Sequence, residues 1–397
     1  MRIAIYSDNF YPELSGITTT ITTIGNALAA RGHQIAYFVP AYSDENYRVV
    51  GLPRDYDPGK NISVFRMPAS GVRTGNRQGR FVFPIGTSYS ALKKFDPDVI
   101  HFHLFGGTGV EAVMMAKLFG KPLVGTDHTP ILEFMHYSPI QAEWFQKLAS
   151  RYNEWLYNRC DFVASPCQAI FDSMKYFNQR IPHQVVSNPI DTERFRPAVS
   201  KLAAKKKAGL PNFTILFVNK LGSEKRADTV IRAIAEIKDK ITDITFALAG
   251  EGPCKAEWSA LAKSLGVERN VKFFGFIPDE KLPLIYQAGD LFAIMSKAET
   301  QSISAMQALA SEVPVLAANA WGLKEYIKPE VGFLIEPEDY KTLAAKILLL
   351  YQKPALRRKM GKAARKYVEG FSIENITKTW EEIYENTIKR YNQERTG

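Results

Sequence analysis

Short runs of Val, Ile and Phe alternate along this chain with longer stretches whose apolar residues recur at three- and four-residue intervals. Apolar runs of that length read as strands, and their alternation with helix-length patterns reads as successive βαβ units around parallel sheets. In the first half the predicted strands are RIAIYSD (2–8), QIAYFVP (34–40), ISVFRM (62–67), DVIHFH (98–103), PLVGTDH (122–128), DFVASP (161–166) and HQVVSN (183–188). The stretch TTTITTIGNALAARG (18–32) predicts a helix closed by Gly32. The alternation then restarts with FTILFVNK (213–220), ITFALAG (244–250), NVKFFGF (270–276), DLFAIMS (290–296), VPVLAAN (313–319) and VGFLIEP (331–337). Between the halves, 188–212 mixes Pro, Gly and Lys without a strand pattern. The expectation is an α/β protein of two Rossmann-like domains, 1–190 and 213–372, joined by a linker at 191–212. Residues 373–397 read as a helix with Trp380 and Tyr384 on one face, expected to complete the first domain.

Composition narrows the class. A chain of 397 residues has room for two or three domains, and 46% hydrophobic with 23% charged residues argues against disorder. Lys and Arg outnumber Asp and Glu by 51 to 41, a formal charge of +10 that favours anionic partners. Cys160, Cys167 and Cys254 form neither a disulfide framework nor a zinc-site spacing. The start, MRIAIYSDNFYP, carries Asp8 in its apolar run and is too short for a signal peptide, and no stretch approaches the ~20 apolar residues of a bilayer span. A cytosolic protein is expected.

Parallel open sheets bind ligands beyond the carboxyl ends of their strands, so two such domains facing each other would hold a ligand in the cleft between them. Four turns after strands carry candidate chemistry. NFYPELSGITTTI (9–21) opens a helix at Gly16, where backbone amides can approach an anion; it also reads as an ordinary βα turn. VNKLGSEKRAD (218–228) places Lys220 at a strand end and Lys225 at a helix start, two cations suited to a diphosphate, with Arg226 beside them; a solvated charged face is the alternative. AGEGP (249–253) offers Gly250 and Gly252 for close backbone approach, or a tight turn. SKAETQSISAMQALASEVPV (296–315) puts Glu299 before a helix whose first amides, at 300–304, make an anion cradle. A carboxylate there repels phosphate but accepts from sugar hydroxyls, and Gln307, two turns on, faces the same side. Together these describe a sugar-nucleotide site.

The motifs YPELSGI, DVIHFH, TDHT, NPIDTERF, NKLGSEKR, AGEGP, FFGFIP and AETQSISAMQALA fall in one order over nearly the whole chain. In that order the chain resembles a retaining family 4 glycosyltransferase of GT-B fold, two Rossmann-like domains facing across a cleft. DHTPILEFMHYSP and ETQS are most similar to bacterial enzymes that glucosylate diacylglycerol. The resemblance implies that Gly16 lies against the donor diphosphate or the acceptor, and that His128 contacts the transferred hexose. Lys220 and Lys225 would neutralise the leaving diphosphate. Glu299 would bind hexose hydroxyls, with the backbone of Gln301, Ser302 and Ile303 closing over hexose and phosphate. Gln307 would hold the nucleotide ribose where the family has a second Glu; Gly250 is read from its turn alone, as admitting a flat ring or a phosphate. The implied donor is UDP-glucose or a related nucleotide sugar, with no cofactor and no metal.

Several positions depart from the family pattern: Ser15, Arg226, Pro189 and Ser302 stand where Gly is usual, Lys220 where Arg is usual. Gln307 keeps an acceptor but loses the charge-assisted bond, about 1 kcal/mol of donor binding. The D-x-D string Asp96-Pro97-Asp98 reads as a turn; His101 and His103, on one strand face, have a spacing that suits a metal but no third ligand nearby in sequence, and read as packing residues. Residues 58–95 hold Lys60, Arg66, Arg73, Arg77, Arg80, Lys93 and Lys94 with Phe81, Phe83, Ile85, Tyr89 and Phe95 between them and no acid. That composition suits an anionic membrane surface, with a solvated loop whose aromatics are core as the alternative; no nucleic-acid recognition fold accompanies it. A second acid-free stretch, 340–368, reads as a solvated face; Trp144, Phe145, Tyr152 and Trp155, at helical spacings, read as core, with a wall of the acceptor site after His128 as the alternative. The expectation is an enzyme peripheral on the inner face of the cell membrane, moving a hexose to a lipid, most simply diacylglycerol. The alternatives are the same chemistry on a soluble or lipopolysaccharide-type acceptor, or a silent partner subunit that binds sugar nucleotide.

Overall fold

In the computed structural model, residues 1–13, 15–54, 56–72, 78–129, 131 and 142–396 are described. They divide into two units, Met1–Pro189 with Ile373–Gly397, and Ile190–Ser372.

The first unit is built on a parallel sheet of β1 (Arg2–Ser7), β2 (Gln34–Pro40), β3 (Ile62–Met67), β6 (Val99–His103), β7 (Leu123–Thr126), β8 (Phe162–Ser165) and β9 (His183–Val185). Their order is β3-β2-β1-β6-β7-β8-β9. Each of the predicted runs contains a strand: the inner runs of Val, Ile and Phe are buried on both faces, as a helix-covered sheet allows, while the edge strands β3 and β9 are mostly half-buried. The helix Gly16–Ala30 is capped by Ser15, whose hydroxyl accepts from the Thr18 amide at 3.1 Å. It packs Ile21, Ile24 and Leu28 against β1 and β2. The helix Ile373–Thr396 adds Ile376, Trp380, Ile383 and Tyr384 to the same core. Arg31 and His33 hold its Glu381, each at 2.8 Å.

One feature of this unit lay outside the predicted pattern. Within the basic stretch, β4 (Ala69–Gly71) and β5 (Arg80–Val82) form an antiparallel pair. The Arg80 guanidinium bonds the carbonyls of Ala41 and Ala69 at 2.9 Å, so this arginine fastens the hairpin to the sheet.

The second unit repeats the design with β10 (Phe213–Val218), β11 (Ile244–Ala249), β12 (Val271–Gly275), β13 (Leu291–Ile294), β14 (Val315–Ala318) and β15 (Gly332–Ile335), ordered β12-β11-β10-β13-β14-β15. The stretch 191–212 is not a linker: it is folded into this unit. Lys201–Ala208 is a helix capped by Ser200, and the Lys205 ammonium pairs with a buried Asp290. A run of lysines reads as solvated in sequence; the distant carboxylate that neutralises Lys205 cannot be read there.

In each sheet the order reverses once, between β1 and β6 and between β10 and β13. Loops leaving the carboxyl ends of strands at such a reversal diverge to opposite faces and leave a crevice. Gly16, Lys220, Lys225, Glu299, Gln301 and Ser302 lie on the segments leaving β1, β10 and β13; His128 follows β7, Gly250 follows β11, and Ile303 and Gln307 lie on the helix Ile303–Ala310.

Candidate functional site

In the second unit, the chain leaving β10 passes Lys220, makes a 3-10 turn at Ser223–Lys225 and enters the helix Ala227–Ile237. The chain leaving β13 passes Glu299 and enters the helix Ile303–Ala310. The two loops meet at the Lys225 ammonium, which donates to Glu299 Oε1. Both side chains are mostly buried, 19% and 12% exposed. Burial alone would push the Lys225 pKa down, but Glu299, with Glu224 beyond it, carries it above the ordinary value. The structure thus joins two residues that the sequence reading gave to separate parts of the ligand. Lys225 ends a 3-10 turn rather than starting the helix, while Lys220 is exposed and makes no ion pair among the described residues.

Arg226, expected as a further cation, is neutralised. Its guanidinium takes both Asp228 oxygens, at 3.0 and 3.2 Å, and Glu338 at 2.7 Å. Its backbone is left-handed, φ +53°, which explains why a glycine is usual at that place in the resembling family. Glu338 also pairs with Lys297, two residues before Glu299.

Two glycines let the loops approach. Gly250 has φ +139°, and a Cβ there would lie 1.9 Å from the Asn219 carbonyl oxygen, the residue before Lys220. A Cβ on Gly322 would lie 1.7 Å from the Thr300 carbonyl oxygen, and its amide bonds the Glu299 carbonyl at 2.9 Å. Gln301 and Ser302 are buried, and Ile303 and Gln307 are half-buried on the helix that follows. Ser302, where glycine is usual, caps that helix by accepting from the Ala305 amide at 3.3 Å. Ile303 and Ser304 open that helix, and first-turn amides of a helix lie outside its own hydrogen-bond ladder.

In the first unit, Gly16 starts its helix and is exposed. His128 follows β7 and is buried, its Nε2 lying 2.9 Å from His103 Nδ1. His101 lies beside His103, ring centroids 4.1 Å apart, and bonds Tyr384 Oη and Thr126 Oγ1, each at 2.7 Å. Burial pushes His128 down to about 4 and the other two well below the usual range, so all three are neutral near pH 7. His103, read from sequence as a packing residue, is therefore the hydrogen-bond partner of the candidate His128. Two acids at strand ends also went unassigned. Asp8 accepts from the Gly106 and Thr108 amides, at 2.9 and 3.1 Å, across the β1/β6 reversal, and burial raises it to about 6. Asp127, beside His128, accepts from Asn153 at 3.0 Å and is raised by burial to about 7. An acid ending an apolar run was the sequence signal for both. Among the described residues no three His, Cys, Asp or Glu groups are placed to share a metal ion.

The basic stretch 58–95 is divided. Arg66 lies over the Phe10 and Tyr42 rings, and Arg80 is used as above, so neither belongs to a free basic face. Arg73 and Arg77 lie outside the described residues. Lys60, Lys93 and Lys94 are exposed, as are Phe81, Phe83, Ile85 and Tyr89. Trp144 and Trp155, expected in the core, are instead exposed, because the helix that carries them turns Asn153, Leu156 and Tyr157 inward. Most of the DHTPILEFMHYSP segment beyond Thr129 lies outside the described residues. No described helix is long and apolar enough to cross a membrane.

Comparison with known proteins covers both units. Residues 14–194 match the family model "Glycosyltransferase Family 4", and residues 200–367 match "Glycosyl transferases group 1". The chain is 24% identical over 405 residues to an alpha-monoglucosyldiacylglycerol synthase of Acholeplasma laidlawii, covering 99% of each. Among solved structures it resembles sucrose-phosphate synthase of Thermosynechococcus elongatus, at a TM-score of 0.81 and 20% identity, over 98% of this chain and 99% of that one. It also resembles Anabaena HepE in complex with UDP-glucose, at 0.74 and 20%, over 97% and 100%.

Proposed function

The chain is a glycosyltransferase of the GT-B fold, taking its sugar from a nucleotide-sugar donor, and from that premise we propose that it transfers glucose from UDP-glucose to diacylglycerol. The single observation that carries the donor half is the Lys225–Glu299 pair at the β10/β13 reversal, beside the helix start at Ile303. A cation, a carboxylate and the first amides of a helix match a ligand that is anionic at one end and rich in hydroxyls at the other. The acceptor half leans on the name of the Acholeplasma relative and on exposed aromatics beside lysines in 81–94.

Breaking the anomeric C–O bond sends its electron pair to the leaving phosphate oxygen and leaves positive charge on the sugar. In this reading Lys220, Lys225 and the amides at 300–304 stabilise the departing diphosphate. Glu299 exchanges part of its bond to Lys225 for hexose hydroxyls, freeing ammonium hydrogens for phosphate. Gln301, Ser302 and Ile303 close over hexose and phosphate by their backbone, Gly250 admits the nucleotide, and Gln307 accepts from a ribose hydroxyl. His128, kept neutral by burial, hydrogen-bonds the hexose; Gly16 lies against diphosphate or acceptor. The acceptor hydroxyl attacks from the face the phosphate leaves and gives it its proton, so configuration is retained. The enzyme works peripherally on the inner face of the membrane, where both a soluble donor and a lipid acceptor are at hand.

Gln307 favours one second reading, a silent subunit that binds sugar nucleotide without turnover. Release of UDP from UDP-glucose by purified protein, with and without diacylglycerol vesicles, separates the cases. Vesicle-dependent release with a glucosylated lipid product is expected. Turnover indifferent to vesicles points to a soluble acceptor, and none with any donor points to the silent subunit.

A further inference from the structure

The helix Glu143–Tyr157 has two faces of opposite character. Inward, Tyr152 Oη donates to the Phe105 carbonyl at 2.6 Å, Asn153 Nδ2 to Asp127 at 3.0 Å and Tyr157 Oη to the Thr126 carbonyl at 3.1 Å. These bonds hold the helix to the ends of β6 and β7, one residue from His128. Outward, Trp144 is 64% exposed, Leu148 55% and Trp155 41%. Positions 144, 148 and 155 fall within a narrow stripe of one helical face.

Lys147 and Arg151 flank the stripe, and the Arg159 guanidinium sits 3.8 Å over the Trp155 ring. The acid on this face, Glu143, is paired with Lys147 at 2.7 Å. The face is thus a ridge of two indoles and a leucine with a net positive border. Indoles combine a large apolar surface with one polar N–H and settle at the boundary of hydrocarbon and water, while Arg and Lys beside them meet anionic headgroups. We propose that this face docks on an anionic lipid bilayer, bringing the lipid surface to the segment that carries His128. The proposal rests on the lipid-acceptor reading above and adds a second contacting element to the exposed residues of 60–94.

The test uses the full chain with Leu148→Cys carrying an environment-sensitive fluorophore; Cys160, Cys167 and Cys254 are buried, so labelling is selective. Leu202→Cys, at a site 79% exposed in the second unit, is the control. Vesicles containing phosphatidylglycerol should blue-shift the label at 148 and raise its emission at least about twofold, with no response at 202 and none with phosphatidylcholine alone. Trp144→Ser with Trp155→Ser should weaken co-sedimentation with those vesicles about tenfold, while thermal stabilisation by UDP-glucose is unchanged. A protein that sediments with vesicles but stays silent at 148 overturns this proposal and leaves the lipid reading standing. One that does not sediment at all overturns both, as equal response to neutral lipid overturns the assigned chemistry.

Discussion

At the scale of single residues, the site is organised by which charges find partners. Lys225 and Glu299 satisfy each other in a mostly buried place, whereas Arg226, one residue on, is occupied by Asp228 and Glu338. Removing the carboxylate leaves an ammonium unpaired there, so Glu299→Ala should still fold but melt about 2–6 °C lower, the effect of losing ~1–3 kcal/mol. A melting point unchanged or raised would show the pair to be incidental. His128 gives a pH signature. Its pKa is about 4 in the folded protein against an ordinary 6.5, so between those values the unfolded chain takes a proton that the native state refuses. Its contribution to stability is constant above pH 6.5 and declines as pH falls toward 4. His128→Gln lacks that decline: from pH 7 to 4.5 the wild type should lose up to about 3 kcal/mol relative to the variant in urea titrations. Parallel curves would mean that His128 is not held neutral by burial. The place of Glu299, after a strand and before a helix start, was legible in sequence. Its partner was not, since Lys225 lies 74 residues away and only the adjacency of β10 and β13 joins them.

Elements show the same division between local and long-range information. The parallel strands were readable because a run such as FTILFV or VIHFH has no stable place except inside a covered sheet. The hairpin of β4 and β5 was not, because three-residue strands carry too little pattern and Arg80 does the fastening. Likewise 191–212 looked like a linker until Asp290 supplied the charge that buries Lys205. Where two loops must touch, sequence shows only a glycine, and the structure shows why. Gly250→Ala would drive a methyl into the Asn219 carbonyl at a positive φ, so it should cost about 2–4 kcal/mol and displace the loop carrying Lys220. A lowered melting temperature together with at least about tenfold weaker UDP-glucose binding is expected, the latter by loss of loop geometry. Wild-type donor affinity in this variant would detach Gly250 from the site.

For the molecule as a whole, the formal charge of +10 bears on where it works. In the proposed membrane-peripheral reading, the exposed Lys60, Lys93 and Lys94 supply an electrostatic part of the attraction to anionic lipid and the exposed Phe83 and Ile85 an apolar part. Raising salt from 50 to 500 mM should therefore weaken binding to phosphatidylglycerol vesicles about tenfold or more without abolishing it. Salt-independent binding would assign the contact to apolar burial alone. The most direct measurement follows labelled glucose from UDP-glucose into the lipid fraction of diacylglycerol vesicles, for wild type and Glu299→Ala side by side. The prediction is a retained-configuration glucosyl lipid from the wild type and a loss of at least about 100-fold in the variant. Undiminished transfer by the variant, or no labelled lipid from a wild type that binds UDP-glucose and vesicles alike, would contradict it.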